Sequence, residues 1–156
     1  MDAGAIIPLV LSEEEQSLYK NGEFGITEMD AYKFLSKYRY CCYYDWKEGI
    51  ENLSNIICFV QKRTLKLRGE TLSFSHNKLI KKYSMSPLFR NNGGWMQYVL
   101  SEISLILQCH QLNLVNWDLL DDGYRIVITT EQKALSLCEL SLDEGRFHIH
   151  KNSLLR

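Results

Sequence analysis

Apolar residues recur at three- and four-residue intervals through most of the first two-thirds of the chain, and at two-residue intervals through much of the remainder. The first spacing is that of one helix face and the second that of one strand face. Ser12, followed by Glu13, Glu14 and Glu15, has the form of an N-cap with an acidic first turn. It predicts a short helix over 12–21, stopped at Asn21-Gly22. Thr27, with Asp30 three residues on, forms a capping box. The helix it opens is expected to run through KYRYCCYYDW at 37–46, because Ala31, Phe34, Leu35, Tyr38, Cys41 and Cys42 share one stripe. That places both cysteines on the buried side, and Tyr40, Tyr43 and Tyr44 off it.

After a break at Gly49, Ile50, Leu53, Ile56, Ile57 and Val60 predict a helix over about 48–62. Leu65, Leu67, Leu72 and Phe74 flank Arg68-Gly69-Glu70 and predict a hairpin, with continuation of the helix to Leu67 as the alternative. Leu79, Ile80 and Tyr83 make one helical turn, and Pro87 with Asn91-Asn92-Gly93-Gly94 marks a loop. Trp95, Val99, Ile103, Ile106, Leu107 and His110 then carry the strongest helical period in the chain. Four strand-like runs follow, at 112–120, 124–130, 134–142 and 146–151, separated by short turn-forming segments. Helices first and strands afterwards predict an α+β domain, with the N-terminal helices packed on one face of a C-terminal antiparallel β-meander of about four strands.

The 156 residues suit a single domain over 1–156. The short apolar run Ala5–Leu11 has no basic residue before it and an acidic segment after it. It lacks the flanks of a secretory signal and the length of a membrane span. Five cysteines, an odd number without regular spacing, argue against a disulfide framework and for small core side chains in a reducing, cytoplasmic compartment. The net charge of −1 is unevenly spread. Residues 1–60 carry five Lys/Arg against ten Asp/Glu, residues 61–90 eight against one, and residues 91–156 five against eight.

Candidate chemistry is sparse. The sequence has no G-x-G-x-x-G, no Gly-Lys-Ser/Thr, no nucleophile elbow and no H-E-x-x-H. His148 and His150 share a strand face, roughly 6.5–7 Å apart by strand rise, but a catalytic zinc needs a third ligand that nothing nearby in sequence supplies. Cys109 and His110 are adjacent on a helix and so point about 100° apart. The carboxylates of 118–144 sit at sheet turns, at alternate ends of the sheet. No catalytic residue, metal or cofactor is therefore expected. The basic middle, 61–90, with Phe74, Tyr83 and Phe89 among its cations, raises nucleic-acid binding as a competing reading, which the slightly negative total charge disfavours. A small uncharacterised enzyme is the other alternative. What is left is a tyrosine-rich acidic surface, Tyr40, Tyr43, Tyr44, Asp45, Trp46, Glu48 and Glu51. Tyrosine and tryptophan are enriched in interfaces, and acidic neighbours steer a basic partner. The expected function is that of an inhibitor or immunity (antitoxin-type) protein, which binds and neutralises a basic toxin or nuclease domain.

Overall fold

In a computed structural model, which describes residues 3–20, 25–45, 53–72, 76–84 and 95–150, the chain opens with α1 at Ala3–Val10. Ile6, Ile7 and Val10 have helical spacing and are buried, and Pro8 sits exposed on the opposite side. Three last-turn carbonyls without helical partners find them elsewhere. Leu9 O accepts from Thr129 Oγ1, Val10 O from Arg63, and Leu11 O from Lys133 Nζ. The sequence alone shows only a short apolar run interrupted by proline, and the tertiary donors complete it.

Helix α2 spans Glu13–Lys20 and α3 spans Glu28–Lys37. Both begin with capping boxes, Ser12 with Glu15 and Thr27 with Asp30. Helix α3 stops well short of the expected end. Tyr38 is its C-cap, Arg39 takes a left-handed φ of 59°, and Tyr40 and Cys41 both donate to Leu35 O. Residues Cys42–Asp45 then form β1. The expected continuous helix through 37–46 is therefore corrected to a helix, a tight turn and a strand.

Helix α4, Leu53–Arg68, replaces the expected hairpin and follows the alternative reading. Gly69 does take a positive φ, but as the residue closing α4, where its N–H donates to Leu65 O. Helices α5 (His76–Ser84) and α6 (Trp95–Cys109) precede β2 (Leu112–Asp118) and β3 (Gly123–Thr130). The expected strand over 134–142 is corrected to helix α7, Glu131–Cys138. Its buried residues, Ala134 and Leu137, are three apart, and Leu135 between them is exposed. Strand β4 is Arg146–Ile149. It starts where Gly145, at φ 75°, packs so closely on Asp118 O that a Cβ would lie 2.0 Å from it.

The fold is α+β, with a four-stranded antiparallel sheet in the order β1-β3-β2-β4. Three strands come from the last third of the chain and the fourth, β1, from the aromatic stretch. Helices cover both faces of the sheet, not one. Leu112, Leu114, Ile126, Ile128 and Tyr44 pack on α4 and α6. Val115, Trp117, Val127 and Phe147 pack on α1, α3 and α7. Adjacent residues of β2 and β3 are thus buried on opposite faces, which explains their near-continuous burial.

Strand β1 pairs only with residues 123–126 of β3. Further along β3, Thr129 holds α1, and there α4 meets α1 and α2 through a buried ion pair. Arg63 Nη1 lies 2.7 Å from Glu15 Oε2 and Nη2 3.3 Å from Oε1, with side chains only 4% and 2% exposed. The Tyr40 ring stacks on this guanidinium at 4.9 Å. Burial pushes the Glu15 carboxyl up, but the Arg63 and Ser12 hydrogen bonds and the Arg63 charge outweigh it, and the net shift is down.

Candidate binding surface

The aromatic stretch divides by strand geometry. Successive residues of β1 point to opposite faces. Tyr44 is 1% exposed in the core beneath α4 and α6. It is therefore no surface residue, and the expectation that it joins the interface is corrected. Tyr40 is half-buried against Arg63 and Phe34. Tyr43 is 46% exposed and Asp45 half-buried. Trp46, Glu48 and Glu51 lie outside the described residues.

Tyr43 belongs to a surface that includes the β2–β3 turn. Its ring lies over Gly123, where a Cβ would come within 2.4 Å of it. The Arg125 guanidinium sits between two rings, 5.1 Å from Tyr43 and 5.4 Å from Tyr32, and makes two bonds to Asp121 at 2.9 and 2.7 Å. Those bonds, with the Gly123 N–H, hold the Asp121 carboxyl well below the usual range, at about 2. Leu120 stands at the tip of the turn, 77% exposed and at a φ of 63°. This conformation is costly for leucine. It is held by Asp118, whose Oδ1 accepts the Leu120 N–H while Oδ2 accepts from His148 Nε2. The turn thus carries Leu120, Asp121 and Asp122, and through Gly123 and Arg125 it adjoins Tyr43, half-buried Tyr32 and Asp45. Sequence reasoning found Tyr43 and Asp45 but missed Leu120. The available signal was a leucine beside Asp121-Asp122-Gly123, a turn position where glycine or asparagine is usual.

The other candidates separate. His148 bonds Asp118, whereas His150 turns to α6, with Nε2 3.1 Å from Ser101 Oγ and 3.3 Å from Gln97 O. A carbonyl only accepts, so Nε2 carries the proton. The Ser101 hydroxyl donates to Gln97 O. Ser101 is buried, and a donating His150 does not act as its base. Among the described residues no three His, Cys, Asp or Glu side chains converge on a metal position. His110 contacts Glu70, and Arg68 donates to His110 O and Gln111 O, joining the ends of α4 and α6.

The basic middle is partly used internally. Arg63 pairs with Glu15, Arg68 caps α6, and Lys82 contacts Glu102. Phe74, Phe89 and the Tyr83 side chain, the expected stacking platform, lie outside the described residues. The Asn91–Gly94 loop does so too.

The cysteines correct the expectation of core packing. Only Cys41 is buried, and burial drives its thiol pKa far up. Cys42 is half-buried, and Cys58, Cys109 and Cys138 are exposed. Iodoacetamide is therefore expected to alkylate Cys58, Cys109 and Cys138 in the native protein and to spare Cys41 until denaturant is added. Peptide mass spectrometry checks this. Native labelling of Cys41 as fast as Cys138 would contradict its placement.

Between β1 and α4 lies a cleft of about 350 Å³ lined by Arg39, Cys41, Cys42, Tyr43, Asn55, Cys58, Phe59 and Lys62. Among the described residues, no helix is long and apolar enough to cross a membrane. Compared with known proteins, the chain matches no family model, no curated protein and no solved structure.

Proposed function

We propose that this chain is a cytoplasmic protein-binding domain of the inhibitor or immunity (antitoxin) type, which neutralises a toxin or nuclease by covering it with the Tyr43–Leu120 surface. Leu120 carries the reading. An apolar side chain on a turn tip, at a backbone angle that glycine would adopt without strain, adds nothing to the core. A binding role accounts for a leucine at that position. Tyr43 and Tyr32, packed on Arg125 of the strand that follows the turn, supply rigid contact area, as interface anchors do. Asp45, Asp122 and the Asp121–Arg125 pair make the surroundings net acidic, which favours a basic partner. The free thiols suit a reducing compartment.

The test is purification from the native host without harsh salt, in parallel with Leu120→Gly. A stoichiometric basic partner is expected with the parent. The glycine variant, relieved of backbone strain, is expected to melt no lower than the parent yet to lose at least tenfold in affinity for that partner. A parent that elutes alone, or a variant that binds as tightly as the parent, would remove this surface from the proposal.

A further inference from the structure

We propose that the cleft between β1 and α4 is a binding site for a small apolar carboxylate, a ligand distinct from the protein partner, with Tyr43 bordering both sites. Three observations meet there. The first is size: about 350 Å³ lies at the low end for ligand sites. At about 30 Å³ per water it corresponds to roughly a dozen waters, or a ligand of about ten non-hydrogen atoms.

The second is chemistry. Phe59, Cys42 and Cys58 give an apolar wall, and Cys41 and Tyr43 complete that lining. Asn55 offers an amide. The charged lining residues are Arg39, from the α3–β1 turn, and Lys62, from α4, and no carboxylate is among the described lining residues. Two cations from separate elements, set on an apolar pocket, suit one anionic head on an apolar body. A guanidinium can hold a carboxylate through two parallel bonds, with an ammonium as second charge.

The third is backbone conformation. Arg39 occupies the left-handed position after α3, at φ 59°. Helices end there most easily with glycine. An arginine keeps a strained angle at this point, on the lining of the cleft.

Phenylacetate, with ten non-hydrogen atoms, is the probe, and phenylacetamide its uncharged counterpart of the same shape. In the full chain, phenylacetate is expected to shift the amide signals of residues 39–43 and 55–62 saturably. It should also slow alkylation of Cys58 and leave Cys138, on α7, reacting as before. Phenylacetamide is expected to bind at least tenfold more weakly. Arg39→Gly should melt no lower than the parent and lose at least tenfold in affinity for phenylacetate. Lys62→Gln, on the exposed side of α4, should also weaken binding. No saturable shift with phenylacetate, equal binding of acid and amide, or parental affinity in both variants would each overturn the proposal.

Discussion

An Arg63→Ala chain is expected to lose about 3–5 kcal/mol of unfolding free energy at neutral pH, because the substitution leaves Glu15 as a buried, unpaired carboxylate. Domains of ordinary stability have only about 5–15 kcal/mol in total, so much of the protein would be near its unfolding transition. The loss comes less from attraction than from stranding a charge. The double variant Arg63→Met with Glu15→Gln should therefore recover most of it, since glutamine keeps an acceptor for the Ser12 N–H and no buried charge is left to neutralise. Urea titration of the three proteins measures this. A loss of under about 1 kcal/mol in Arg63→Ala, the level of a surface pair, would show that the pair is solvated.

The same carboxyl sets an acid dependence in the parent. Its pKa in the folded protein lies below its unfolded value, so the folded state binds fewer protons. The stability it contributes is present above the unfolded value near 4.5 and is lost as pH falls through the depressed folded value. The double variant should show a shallower decline over that acid range.

Tyr44→Ser is expected to cost about 3–5 kcal/mol, in the range of large aromatic truncations in cores. Tyr44 fills space among Ile126, Leu53 and the α6 side chains, and serine leaves a cavity there. Tyr43→Ser, one residue away, should cost only about 1 kcal/mol, the scale of the Arg125–ring contact, because the ring is half in water. Paired thermal melts decide the matter. Equal losses at 43 and 44 would contradict strand geometry for β1, since neighbours on a strand face opposite ways.

Much of the fold was legible where local signals agree. The N-cap at Ser12, the capping box at Thr27, the stripe of α6, and the alternation and turn residues of β2, β3 and β4 each rest on interactions within a few residues. The misreadings fall where a pattern satisfied two periods. Cys41 and Cys42 both fit the helical stripe of Phe34 and Tyr38, but Cys41 packs with Phe34 on one side of the sheet and Cys42 against the core on the other, while Tyr44, off that stripe, is buried. ALSLCELSL alternates like a strand, yet α7 buries only Ala134 and Leu137. Tertiary packing chose between periods that the residues left open.

The candidate surface divides in the same way. The sequence by itself determined the α+β class, the absence of familiar catalytic motifs, and a run of aromatic and acidic residues around residue 43, of which the structure leaves Tyr43 exposed and Tyr44 buried. Only the tertiary structure brought Gly123 and Arg125 beside Tyr43, joined Arg63 to Glu15, and set Arg39 and Lys62 on one cleft. Those residues are 20 to more than 80 positions apart, and no local rule relates them. Their meeting follows from the pairing of β1 with β3 and the packing of α4 against the sheet, which are decided by burial over the whole chain.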